Sequence, residues 1–285
     1  MDKKVLAVVV LYYPDRQVLQ DNINAIINDV DNIILWENMD ESDARNYRIN
    51  ADSKVNYINA GKNVGISKAL NYAWIYARTN GYDYLLTMDQ DSIWKNFGFF
   101  KKNSLSFLQN TKALIGPATQ KSSLSNTKVP SFVRKQWIIT SGMLVPVELL
   151  TDIGGYNENF FVDGVDIELC LRAYTKGYKS YVDQSSFLNQ NYGVKNNLKF
   201  CGLKLSIQSY NPSRVHDIFF SNVVLFRIYR RYETIKELIV FLKVVILSIF
   251  FVKGDKFSKF VAVYKGIICG INFSQNKYYQ FNEFK

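Results

Sequence analysis

Apolar positions in this chain fall into short runs separated by segments of helical spacing. Residues 3–11 (KKVLAVVVL) form a near-continuous β-branched and aliphatic run, the pattern of a strand covered on both faces of a parallel sheet. It ends at the turn Tyr12-Tyr13-Pro14-Asp15. Val18, Leu19, Ile23, Ile26 and Ile27 then recur at helical spacing within residues 17–30. A second strand over residues 33–36 ends at Glu37-Asn38. Strand, helix, strand is the opening of a doubly wound sheet. Residues 55–58 predict a third strand and 67–78 a helix that stops at Gly81. Residues 84–89 predict a fourth strand, whose apolar run breaks off in Asp89-Gln90-Asp91. Further on, the pattern predicts a helix to Gln109, strands over 113–117 and 137–145, and a short helix ending near Gly155. A helix starting near Asp163 or Gly164 and closed by Gly177 follows, then a strand over 180–182. From Asn222 the chain reads as helical, with a last helix over 257–269. Residues 120–135, with five Ser or Thr and four Lys or Arg, read as an exposed loop.

Composition narrows this picture. With 48% hydrophobic and 21% charged residues in 285, the chain is globular and long enough for one large α/β domain with an appendage. Cys170, Cys201 and Cys269 are scattered and lack a C-x-x-C pair, which points away from a disulfide framework or zinc site and towards a reducing compartment. Met1-Asp2-Lys3-Lys4 leads straight into the first strand, so no secretory leader is expected. The net charge of +10 is uneven. Residues 1–198 carry 21 Lys/Arg against 20 Asp/Glu, and residues 199–285 carry 14 against 5. The split separates a domain over 1–198 from a basic region over 199–285, which points to an anionic partner, lipid headgroups or nucleic acid, with a soluble basic face as the other reading.

The candidate chemistry lies where strands end. Asp89 and Asp91, leaving a buried strand at its C-terminal end, stand where open α/β sheets bind ligands, and they suit a divalent cation shared with phosphates. In isolation, the same pair is an Asp-rich turn. A second acidic cluster runs from Phe161 to Arg172. Asp166 falls in the first turn of its helix, and Glu168 with Arg172 is an i, i+4 pair worth a few tenths of a kcal/mol if exposed. Residues 59–65, with two glycines, read as a tight turn before a helix.

Together these residues resemble the inverting glycosyltransferases of family 2, in particular their rhamnosyltransferase-like branch. The resemblance rests on an ordered series over about residues 4–193: Tyr12-Tyr13-Pro14, Glu37-Asn38, Asn63-x-Gly65, Asp89-Gln90-Asp91-Ser92, Ser141-Gly142, Gly154-Gly155-Tyr156, and Phe161-x-Asp163-x-x-Asp166-x-Glu168-x-x-x-Arg172. It implies the type A nucleotide-sugar-binding fold, a mixed and mostly parallel sheet flanked by helices, with a C-terminal helical extension. It also implies a donor pocket of Tyr12, Tyr13, Glu37, Asn38, Asn63, Gly65, Asp89 and Gln90. Mn²⁺ or Mg²⁺ would sit on Asp91 and Asp89, and Asp166 would be the general base, with Asp163 as the alternative. Ser141, Gly142, Gln190 and His216 fall on the acceptor or diphosphate side. The implied reaction moves a sugar, rhamnose from dTDP-rhamnose as first expectation, to a lipid-linked or oligosaccharide acceptor in bacterial surface glycan synthesis (O-antigen or capsule).

Two departures from the family pattern bear on the metal and the nucleotide. Gln190 stands where the family often has histidine, which leaves metal dependence open, and Glu37 stands where aspartate is commoner. The basic region contains a 15-residue apolar run over 238–252, interrupted by Lys243 and too short to span a bilayer. It suits a helix in the membrane interface, or one packed on protein, including a homodimer through the C-terminal helices. The resulting expectation is a peripheral protein on the cytoplasmic face of the membrane. Two rival readings are a non-catalytic partner subunit and a nucleic-acid binder. The second fits poorly, because Tyr229, Tyr232 and Phe241 lie among aliphatic residues, and no nucleic acid is expected as a partner.

Overall fold

The structure, a computed structural model, describes residues 3–50, 52–119, 131–190, 195–200, 203–208, 210–229 and 255–274, with positions 239, 242, 243, 245, 246, 249 and 250. It divides into two compact units, Met1–Glu158 with Val165–Asn191 and Asn159–Gly164 with Tyr192–Lys285.

The first unit is built on a mixed sheet. Strands β1 (Val5–Leu11), β2 (Asn32–Glu37), β3 (Val55–Asn59) and β4 (Tyr84–Asp89) run parallel in the order β3-β2-β1-β4. The sheet continues through β8 (Met143–Pro146), antiparallel to β4, then β6 (Ala113–Ala118) and β9 (Lys179–Gln190), which are parallel to each other. β5 (Ser92–Trp94) and β7 (Phe132–Lys135) both pair antiparallel with β9. Helices α1 (Arg16–Asn24), α3 (Ile66–Thr79), α4 (Phe97–Leu108), α5 (Val147–Ile153) and α6 (Val165–Thr175) flank the sheet, and a short helix α2 (Glu41–Ala44) follows β2. Every residue of β1 except Val10 is buried, as its unbroken apolar run requires of a central parallel strand. The type A architecture expected from the sequence is the one observed.

Several boundaries differ from the sequence expectation. The helix expected over 17–30 ends at Asn24 and the chain continues in turns. Only Met143–Pro146 of the expected strand over 137–145 is extended, because Gly142 turns with φ 78° to bring its N–H onto Thr87 O at 2.7 Å. The strand expected at 180–182 runs to Gln190. Of the loop expected over 120–135, residues 120–130 lie outside the described residues and Phe132–Lys135 form β7. Cys201 and most of the 238–252 run also lie outside them.

In the second unit β10 (Lys195–Phe200) and β11 (Leu203–Gln208) pair antiparallel. Helix α7 (Pro212–Tyr229), which starts well before the expected Asn222, packs along α8 (Lys256–Asn272). Val215, Ile218 and Phe219 of α7, Ala262 of α8, and Val245 and Ile249 share one apolar cluster. Val245 and Ile249 of the 238–252 run are therefore core, while Ile239, Ile246 and Phe250 are exposed. No helix among the described residues is long and apolar enough to cross a membrane.

Candidate nucleotide-sugar site

Parallel pairing sets β1, β2 and β4 level at their C-terminal ends: Leu11 lies opposite Glu37, and Val10 opposite Asp89. The segments leaving these strands carry the candidate donor residues. One edge of the sheet thus gathers parts that are far apart in sequence, as expected for open α/β sheets.

Gln90 is fixed by a two-bond amide pairing to the backbone of Tyr12. Its Oε1 accepts from Tyr12 N at 2.6 Å and its Nε2 donates to Tyr12 O at 3.0 Å. The turn after β1 and the acidic motif after β4 therefore move as one piece. Tyr13 takes φ 47°, a left-handed conformation uncommon for an aromatic residue, and donates its hydroxyl to Asp43 at 3.1 Å. Its ring meets Tyr12 edge-on at 4.8 Å and Tyr47 at 5.7 Å. Tyr12 and Tyr13 are about half exposed, so these rings offer an open aromatic surface on which a planar base can stack.

Glu37 is buried and accepts from Arg48 through both oxygens, at 2.8 and 3.0 Å, while Asn59 donates to it at 3.1 Å. Burial alone would raise its carboxyl; the Arg48 guanidinium and the Asn59 amide outweigh that and hold it below its usual range. Arg48, half exposed and lying over the Tyr57 ring at 4.9 Å, is the outward-facing member of the pair. Asn38 donates to Asn63 Oδ1 at 2.9 Å and accepts from Val64 N at 2.8 Å, and Gly65 N donates to the same Asn63 oxygen at 3.0 Å. These amides pin the turn that launches α3.

The acidic motif is held from several sides. Asn22 Nδ2 donates to Asp89 O at 2.8 Å, Asp89 N donates to Ser141 Oγ at 3.1 Å, and Ser141 Oγ donates to Ser92 at 2.8 Å. Gln190, paired in register with Ser92, donates from Nε2 to Asp89 Oδ2 at 2.9 Å. Its Oε1 is buried without a hydrogen-bond partner. Burial pushes the Asp91 carboxyl up, opposed only by its own backbone N–H, and no other described residue bonds to it. Ser141 thus braces the motif. At Gly142, an added Cβ would lie 2.8 Å from Pro117 and 3.0 Å from Trp94, so the space beside this glycine is filled by the protein's own core.

These groups allow a test of the expected cation. Among the described residues no three His, Cys, Asp or Glu side chains are grouped to hold a metal. A half-buried carboxylate with no cationic partner, a second carboxylate one residue away and an orphaned amide oxygen are all hard oxygen donors. They fit an Mg²⁺ or Mn²⁺ ion that takes its remaining ligands from phosphate and water.

Asp166 occupies the first turn of α6, half exposed, with Ile167 N donating to its Oδ1 at 2.9 Å. Glu168 and Arg172 form the i, i+4 pair expected from the sequence, and both are buried rather than exposed. Arg172 binds Glu168 at 2.7 and 3.0 Å and donates to the carbonyls of Ile153 and Gly155. The pair ties α6 to the end of α5. Gly155, with φ 76°, packs so closely that a Cβ would fall 2.4 Å from Trp74 and 2.5 Å from Asn71 Oδ1, and Asn71 holds Tyr156 through both its backbone groups.

Asp163 and His216 belong to the second unit. Burial raises the Asp163 carboxyl, Arg214 pulls it down from 3.3 Å, and Asp217 pushes it up again; the net shift is upward. His216 Nδ1 lies 3.1 Å from Asp217, and its ring stacks with Phe220.

Sequence reasoning missed Arg48, Asn59 and Asn22. Asn22 had a visible signal: an amide sharing the apolar face of α1 with Leu19 and Ile23, fully buried beside them. Arg48 and Asn59 had none, because Asn59 reaches Glu37 through the register of β2 with β3 and Arg48 reaches it by the path of the chain after α2.

Comparison with known proteins agrees with the fold. The chain is 26% identical over 231 residues to the dTDP-rhamnosyl transferase RfbF of Shigella flexneri, covering 73% of this chain and 76% of that protein. It matches the mannosyltransferase PcManGT of Pyrobaculum calidifontis, solved with GDP-Man and Mn²⁺, at TM-score 0.56 and 13% identity over 96% of this chain and 77% of that one. It matches GalNAc-T7, solved with UDP, GalNAc and Mn²⁺, at TM-score 0.55 and 11% identity over 79% of this chain; it spans only 50% of that protein's length. No family model matches.

Proposed function

We propose that this glycosyltransferase of the type A fold moves a sugar from a nucleoside diphosphate donor to an acceptor hydroxyl with inversion. Rhamnose from dTDP-rhamnose is the first donor, and a lipid-linked or polysaccharide acceptor of a bacterial surface glycan is the receiver. The observation that carries the reading is the shared edge of β1, β2 and β4, where Gln90 locks the exposed tyrosines to the acidic motif. The donor reading is supported by the dTDP-rhamnosyl transferase relative.

In this reading Tyr12 and Tyr13 receive the base, and Arg48, oriented by Glu37, supplies positive charge at that end of the pocket. Asp91, with Asp89, would hold a divalent cation, which when bound offsets the charge left on the departing diphosphate. Gln190 steadies Asp89 by donating to Oδ2. Asp166 accepts the proton of the acceptor hydroxyl as its oxygen attacks the anomeric carbon, opposite the bond to the diphosphate. Asp163, whose carboxyl is raised by burial, is the alternative. The acceptor is presented at the cytoplasmic face of the membrane, with the basic residues of 199–285 towards it.

The test is a thermal-shift and transfer panel with UDP, dTDP and GDP and their sugars, with and without Mn²⁺ or Mg²⁺. A dTDP compound is expected to raise the melting temperature by linkage; absence of a shift with every nucleotide would remove the donor pocket. Asp166→Asn is expected to lower turnover by about 10²–10⁴-fold while leaving the nucleotide shift intact. Equal loss with Asp163→Asn and none with Asp166→Asn would exchange their roles.

A further inference from the structure

Helix α8 has two contrasting sides, an inner one of small residues with the buried Lys259 and an outer one of large apolar residues. One is buried against α7, where Gly266 and Gly270 leave no room for a side chain: a Cβ on Gly266 would lie 2.5 Å from His216 O, and one on Gly270 would lie 2.7 Å from Val223. The other is open. Phe257, Phe260, Tyr264, Ile268 and Ile271 are all exposed, Phe257 to 79% and Tyr264 to 67%. At 3.6 residues per turn these five fall within about 80° of arc, on the side opposite the glycines. Phe250, half exposed, meets Phe260 edge-on at 5.3 Å and extends the stripe, and exposed Ile246 precedes it by one turn.

The charges around the stripe say what covers it. α8 contains Lys256, Lys259 and Lys265 and no acidic residue. By the same helical geometry Lys256 and Lys265 flank the stripe, one on each side, and both are exposed. A second copy of the chain laid on this face would bring lysine rims together with no carboxylate of the helix between them, whereas an anionic lipid surface matches both the apolar centre and the basic rim. At 17 residues α8 is about 25 Å long, and its inner side is committed to α7, so the fitting orientation is flat in the interface.

We propose that the outer face of α8, centred on Phe260, Tyr264 and Ile268, is a docking surface for an anionic lipid bilayer. This places the membrane contact on α8, where the sequence suggested the 238–252 run, whose Val245 and Ile249 are core. The inference stands apart from the sugar-transfer reading, because vesicle binding is measured without nucleotide or acceptor.

The full chain is floated with phosphatidylcholine vesicles, with and without phosphatidylglycerol, at low and high salt. The expected result is binding to the anionic vesicles that weakens with salt. A Phe257→Ser/Phe260→Ser/Ile268→Ser variant, changed only at exposed positions and so expected to keep its melting temperature, should bind at least about tenfold more weakly. Lys256→Glu/Lys265→Glu should lose the preference for anionic vesicles. The inference is overturned if the wild type does not float with anionic vesicles or if the triple variant binds them equally. It is also overturned if the wild type is a dimer in solution that the triple variant converts to monomer without any vesicle binding.

Discussion

At the scale of single residues, the site is a set of polar side chains whose positions are fixed by other polar side chains. Glu37 shows what that costs: a buried carboxylate that persists because Arg48 and Asn59 supply three hydrogen bonds. Its folded pKa lies below the ordinary value of 4.5. The native state therefore binds fewer protons than the unfolded chain in that window, and the resulting stability is present above the unfolded value and lost as pH falls through the folded one. Glu37→Gln is expected to cost about 1–3 kcal/mol at neutral pH and to flatten the fall in melting temperature between about pH 5 and 3, measured by thermal melts across that range. At Gly155 an alanine meets both a left-handed φ and the Trp74 ring. Gly155→Ala should lose about 2–5 kcal/mol in urea unfolding. Gln190→His tests the family departure directly. An imidazole beside Asp89 is expected to strengthen binding of Mn²⁺ relative to Mg²⁺, read by the metal dependence of the nucleotide thermal shift, because imidazole is a softer donor than an amide oxygen.

At the scale of elements, two contacts decide how helices sit. Glu168 and Arg172 form a buried pair that also satisfies the last carbonyls of α5. Arg172→Met leaves the Glu168 charge buried alone and should destabilise the chain by about 3–5 kcal/mol by chemical denaturation. The double change Glu168→Leu/Arg172→Met should recover much of that loss, since hydrophobic isosteres often replace a buried ion pair at little cost. The pairing of α7 with α8 depends on absent side chains. Gly266→Val places methyl groups against a backbone carbonyl and should lower stability by about 1–3 kcal/mol or more. Arg227 of α7 caps the other end of α8 by donating to the carbonyls of Gly270 and Phe273, where a cation is favoured by the helix dipole.

At the scale of the whole molecule, the sequence by itself determined which segments are strands of a parallel sheet, because burial on both faces demands unbroken apolar runs such as residues 5–11 and 84–88. It also marked Asp89 and Asp91 as the place where the fourth strand ends, because an apolar run that breaks off in carboxylates leaves the buried sheet there. The helices α3, α6 and α8 were legible through their spacing and their closing glycines or caps. Tertiary structure alone decided what each polar residue does. Gln90 and Tyr12 lie 78 positions apart, as do many other partners in this site at comparable separations, and no local period encodes such a pairing. Parallel register brings Glu37 to Asn59 and β4 to the turn after β1, which makes Gln90 a lock, and the antiparallel pairing of β8 with β4 brings up Ser141 as a brace. The same holds for α8, where packing against α7 buried the side with Lys259, Ala262, Gly266 and Gly270 and left the side with the large apolar residues open.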